Sequence, residues 1–123
     1  MNIWHNVTRD SSNKINAKEE LQELLKTQKD KGLDLVCAEI QYEDGYSKKI
    51  DLKHAHTIEE AAAFFDELNF RYSDGYGTQE LYGIVWLTYG VWLSRWEYDG
   101  SEGWQVNRCP TIPARLYKKR LDT

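Results

Sequence analysis

Leu81-Tyr82-Gly83-Ile84-Val85-Trp86-Leu87-Thr88-Tyr89-Gly90-Val91-Trp92-Leu93-Ser94-Arg95-Trp96-Glu97-Tyr98 holds three of the five tryptophans of the chain and six of its sixteen aromatic residues. Two runs of strand-forming residues meet at Tyr89-Gly90, which predicts a hairpin with a two-residue loop. Counting outward, Thr88 faces Val91, Leu87 faces Trp92, Val85 faces Ser94, Gly83 faces Trp96 and Leu81 faces Tyr98. That register collects Leu81, Val85, Leu87, Trp92, Trp96 and Tyr98 on a core side, with Gly83 leaving room for the Trp96 indole. The opposite side carries Tyr82, Ile84, Trp86, Val91 and Leu93 beside Arg95 and Glu97, more apolar than a solvated sheet face, so a cover over it is expected.

Upstream, Phe70 to Glu80 is irregular and rich in glycine and tyrosine, a length at which loops often carry function. The segment before it predicts a helix from Thr57 to Leu68: Thr57-Ile58-Glu59-Glu60 is a capping box, and Ala61, Phe64, Phe65 and Leu68 make the buried stripe. A second hairpin precedes that helix. A two-residue loop at Asp44-Gly45 would mix polar and apolar residues on both sides, whereas a three-residue loop, Glu43-Asp44-Gly45, groups Val36, Ala38, Ile40, Tyr42, Tyr46, Ile50 and Leu52 on one face. Before it, Asn16 caps a helix running from Ala17 to about Lys31, with Ala17, Leu21, Leu24, Leu25 and Gln28 as its stripe and Gly32 as its stop. Residues 2 to 8 read as a short edge strand. Beyond Tyr98, Asp99 to Gly103 is a turn signal and Trp104 to Cys109 a third meander strand, ended by Pro110 and Pro113. A basic tail from Ala114 to Leu121 reads as a closing turn or helix. The chain is therefore expected to be a single domain, residues 1 to 123, of α+β class, a twisted antiparallel sheet built from two hairpins and a meander, with two helices on one face.

Composition bounds the function. A net charge of −4 disfavours general binding to nucleic acid or to membrane surfaces. No apolar run approaches the length of a membrane span and no charged leader precedes one, so a cytoplasmic protein is expected. Cys37 and Cys109 lack metal-ligand spacing and read as reduced, buried residues. His54 and His56 share a strand face but have no clear third ligand, and the Asp-Gly pairs at 44, 74 and 99 read as turns. Neither a nucleophile with its base nor a phosphate loop is present, so no enzyme activity, metal or cofactor is expected.

Aromatic surface remains. Tyr72, Tyr76, Trp86 and Trp104, with the acidic turn at Asp99 and Glu102, form the candidate partner-binding site, because tyrosine and tryptophan dominate binding hot spots. A protein partner is favoured. The alternative is a single-strand nucleic-acid binder that stacks bases on Tyr82, Trp86 or Trp104 and meets phosphates with Arg95, Arg108, Arg115, Lys118, Lys119 and Arg120. Oligomeric state is left open, a homodimer included.

The run from Gly75 to Leu87, the segment Gly90-Val91-Trp92-Leu93-Ser94-Arg95, and Glu97-Tyr98-Asp99-Gly100-Ser101-Glu102 with Trp104 and Pro110 resemble a group of small uncharacterised proteins of bacteriophages and prophages. The resemblance covers about the last 50 residues and implies a context: small acidic phage proteins without enzymatic motifs often act by binding and blocking a host complex, defence complexes included. No functional residue is carried over from it.

Overall fold

The computed structural model describes residues 14–75, 78–110 and 112–116. The expected edge strand at 2–8, Tyr76 and the tail beyond Leu116 lie outside the described residues. The elements run β1 (Ile15–Asn16), α1 (Ala17–Lys29), β2 (Leu35–Glu43), β3 (Ser47–Leu52), α2 (Ile58–Glu67), β4 (Arg71–Tyr72), β5 (Leu81–Leu87), β6 (Val91–Tyr98), β7 (Ser101–Arg108) and a 3-10 turn (Ala114–Leu116). The fold is α+β. An antiparallel sheet in the order β3-β2-β5-β6-β7 carries both helices on one side, and the two-residue strands β1 and β4 pair beside it.

Both helices begin where their caps dictate. Asn16 accepts from the Glu19 N–H at 3.0 Å, and Thr57 and Glu60 form a complete reciprocal box. One core joins Leu21 and Leu24 of α1, Phe64 of α2 and Leu68 at its end to Ala38, Ile40, Ile50, Leu52, Leu81, Val85, Leu87, Val91 and Leu93 of the sheet. Leu25, Ala61 and Phe65 are less buried than their stripes suggest.

The first hairpin has a three-residue loop with Gly45 at φ 80°, but the loop is Asp44-Gly45-Tyr46, one position later than expected. Ile40 therefore faces Ile50 and Ala38 faces Leu52. Moving the loop by one whole position displaces the pairing by two residues, so each strand keeps its expected inward side. Tyr46 and Val36 are the exceptions: Tyr46 leaves the strand for the loop and is exposed, and at an irregularity in β2 between Leu35 and Cys37 it is Leu35, not Val36, that packs against the core.

The tryptophan hairpin differs more. It turns at the expected place: Tyr89 and Gly90 are both left-handed, at φ 61° and 74°, and the Val91 N–H donates to the Thr88 carbonyl at 3.4 Å. Yet Trp86 pairs with Trp92, Val85 with Leu93 and Ile84 with Ser94. Between those pairs and the turn, β5 has Leu87 while β6 has no residue to match it, which is a bulge beside the turn. The expected register is thereby corrected by one position, and every side chain of β6 changes sides. Val91, Leu93 and Arg95 point into the core, Trp92 and Trp96 point away from it, and Tyr98 is 79% exposed. The Thr88 N–H donates to Asp34 O at 2.9 Å and its hydroxyl accepts from Asp34 N at 3.0 Å, which ties the chain at the turn to the residue before β2, beyond a shift in the β2–β5 register between Leu35 and Cys37.

The glycine that shelters an indole is likewise a different one. Gly83, at φ 147°, lets β2 approach: a Cβ there would fall 2.4 Å from the Glu39 carbonyl oxygen. The Trp96 ring lies instead over Gly103, its cross-strand partner, where a Cβ would meet the ring carbon at 2.9 Å. The last turn is a tight Asp99-Gly100 pair at φ 51° and 87°, so β7 begins at Ser101, three residues earlier than the expected strand at Trp104.

Candidate functional site

The corrected register produces two groupings that the sequence reading had combined. The first is the sheet face turned away from the helices. On it β5 places Tyr82, Ile84 and Trp86, and β6 places Trp92, Ser94 and Trp96. Tyr82, Trp86 and Trp92 are 39%, 38% and 37% exposed, with Trp86 and Trp92 as direct cross-strand partners. Cys37, Glu39 and Gln41 of β2 border them on one side, and Gln105 and Asn107 of β7 on the other. The polar border is organised: Asn107 Nδ2 donates to Ser94 Oγ at 2.9 Å, Gln105 Nε2 donates to Asn107 Oδ1 at 3.2 Å, and Tyr82 Oη donates to Gln79 O at 3.1 Å. Among the described residues, no helix or strand packs over this face, so the expected cover is not found there.

The second grouping lies on the other side of the sheet and is closed. Arg95 of β6 points inward with its side chain 2% exposed. Its Nη2 donates to Glu102 Oε1 at 2.7 Å and to Tyr72 Oη at 2.9 Å, its Nε donates to Leu81 O at 3.1 Å, and Nη1 lies 3.5 Å from Glu20 Oε1. The Tyr72 hydroxyl donates to Glu20 Oε1. The Trp104 and Tyr72 rings lie against the guanidinium, 4.9 and 5.5 Å from Cζ to the ring centroids. Glu102 also ends the irregular segment before β5: its carboxylate accepts from Glu80 N and Leu81 N at 2.8 and 3.1 Å, while its own N–H donates to Asp74 O at 2.8 Å.

Burial is the largest influence on Glu20 and raises its carboxyl to about 7, with Arg95 and Tyr72 pulling the other way. Burial, then the neighbouring Glu20, also pushes the Tyr72 phenol well above its ordinary value. For Arg95 burial works against the charge, but Tyr72, Glu20 and Glu102 outweigh it and the guanidinium rises.

The expected site residues are therefore divided. Trp86 is on the open face. Tyr72, Glu102 and Trp104 come together around Arg95 in the interior, and all three are buried instead of offered to a partner. Asp99 stands at the exposed turn between β6 and β7, and Tyr76 lies outside the described residues. Trp92 was missed because the expected register turned it inward. Glu20 was missed although its spacing marks it: it lies three residues after Ala17 and four before Leu24, a charge at a stripe position of α1.

His56 Nδ1 lies 2.9 Å from the Lys53 carbonyl, and His54 is exposed. Among the described residues no three His, Cys, Asp or Glu side chains gather where a metal ion would fit. Both cysteines are free, and Cys109 is exposed where a buried residue was expected. No described helix is long and apolar enough to cross a membrane. Comparison with protein-family models, with curated proteins and with solved structures finds no match to this chain.

Proposed function

We propose that this protein is a non-enzymatic binding domain that engages a protein partner on the open face of its sheet, through Tyr82, Ile84, Trp86 and Trp92. The observation that carries the reading is the pairing of Trp86 with Trp92 at the centre of that face, both more than a third exposed, with no described element above them. Large, stiff aromatic side chains ringed by planar amides supply contact area at low entropic cost and polar groups at the rim. The resemblance of the second half to small phage and prophage proteins supports a role in occupying, and thereby inhibiting, a host complex such as a defence assembly. A cytoplasmic setting fits that role.

Charge supports a protein over single-stranded nucleic acid. The ionic residues on this side of the sheet beside the aromatics include Glu39 and Asp51 against Lys49, and Arg95, the phosphate ligand nearest the indoles in sequence, points into the core. The test compares the full chain with a Tyr82→Ala/Trp92→Ala variant as bait in a bacterial lysate, with circular dichroism confirming that both fold. A protein captured by the wild type and lost with the variant supports the proposal. A protein captured equally by both sinks it, and a salt-sensitive gel shift with single-stranded oligonucleotides would favour the nucleic-acid reading.

A further inference from the structure

Glu20 is 1% exposed and lies where α1 presses on β4 and β6. The titratable and charged groups facing it are Tyr72 from β4, Asp74 just after β4, Arg95 from β6 and Glu102 from β7. The two most deeply buried carboxyl groups of the cluster, Glu20 and Glu102, both reach the Arg95 guanidinium. Arg95 is committed to Glu102, Tyr72 and Leu81 by contacts of 2.7 to 3.1 Å, which leaves Glu20 the long contact of 3.5 Å. Glu20 Oε2 is buried with no hydrogen-bond partner, and so is the indole N–H of Trp104, whose ring lies against the same guanidinium. The Tyr72 hydroxyl donates to Glu20 Oε1 and favours the charge, but a buried carboxylate whose other oxygen is unbonded and which has only a distant share of a cation is still penalised in a dry interior, and a proton removes that charge.

We propose that Glu20 is the protonation-controlled element of a latch: it is neutral in the closed protein, and on losing its proton it competes with Glu102 for Arg95 and loosens the hold of Glu102 on the start of β5. The competition follows from geometry. Both carboxyl groups reach the same guanidinium, and the Glu102 carboxylate is the acceptor for the Glu80 and Leu81 N–H groups. Glu20, lifted by burial from 4.5 to about 7, sets the working range around neutral pH. A carboxyl that binds its proton more tightly in the closed form stabilises that form fully below the ordinary value, and the stabilisation is lost as pH rises to about 7. Between about pH 6 and pH 8.5 the opening constant then increases roughly tenfold.

Carbon-detected NMR of the uniformly labelled full chain tests the proton. One glutamate carboxyl carbon titrates with a midpoint near 7, and that signal is absent in Glu20→Gln. Absence of any glutamate titration above about pH 5.5, or its survival in the variant, overturns the proposal. Amide exchange tests the latch and needs the wild type alone. Protection factors of Glu80 and Leu81, corrected for intrinsic base catalysis, fall by about tenfold between pH 6 and pH 8.5. Unchanged protection would show that Glu20 titrates without releasing β5, and the latch would be refuted.

Discussion

Replacing Arg95 by methionine keeps the length and apolar stem of the side chain but removes the charge that two interior carboxyl groups share. Three donor contacts at 2.7, 2.9 and 3.1 Å go at once, and Glu102 is left with two backbone N–H donors and no counter-charge. Breaking a buried pair from one side typically costs about 3–5 kcal/mol, because the penalty is the stranded partner and not the net worth of the pair. For a domain whose total stability is of the order of 5–15 kcal/mol, that is a large fraction. With a urea slope of about 2 kcal/mol per M, the unfolding midpoint falls by roughly 2 M. Arg95→Lys falls between, since one ammonium cannot serve Glu102, Tyr72 and Leu81 in the fork geometry. Urea unfolding of the three proteins at pH 7, followed by tryptophan fluorescence and by circular dichroism, measures the series. A loss under about 1 kcal/mol for Arg95→Met would mean that Arg95 is solvated and that the inward register of β6 is wrong.

Trp104→Ala leaves a hole against the guanidinium and costs about 3–5 kcal/mol in the same denaturation assay, whereas a loss below about 1 kcal/mol would return Trp104 to the surface. Gly83→Ala puts a methyl group 2.4 Å from the Glu39 carbonyl and forces β2 and β5 apart; the expected result is an unfolded or aggregated protein, and a wild-type melting temperature would refute the close approach. Raising pH from 4.5 to above 7 lowers wild-type stability through Glu20 by roughly 3 kcal/mol, and Glu20→Gln removes that slope, as read from urea midpoints across pH. Thr57→Ala removes the cap of α2 and costs about 1 kcal/mol with no effect on partner capture.

The uneven success of the sequence reading has a common physical origin. Thr57 with Glu60 and Asn16 with Glu19 are signals whose meaning is complete within one turn of chain, and both helices start at them. The three-residue loop at Gly45 lies one position later than its residues predict, yet β2 and β3 keep their sides, because alternation fixes sides and an even shift of register preserves them. The β6 strand was lost to a single inserted residue. Alternation in Val91-Trp92-Leu93-Ser94-Arg95-Trp96 is equally strong for either side, and the larger indoles made the wrong side the more apolar one.

By itself, then, the sequence determined the order of the two helices and of β2, β3 and β5 to β7, the α+β class, the caps and, to within one position, the places where the chain reverses, because each depends on residues within a few positions of one another; the β1–β4 pair, read as a cap and an irregular segment, joins residues more than fifty positions apart. Tertiary structure decided which side of β6 is inside. The anchoring of Thr88 to Asp34, the Gly103 shelf beneath Trp96 and the carboxyl groups of Glu20 and Glu102 waiting for Arg95 come from segments 7 to 75 residues away from the side chains they position. A buried charge is tolerable only where such distant partners converge, and no local pattern records that they will.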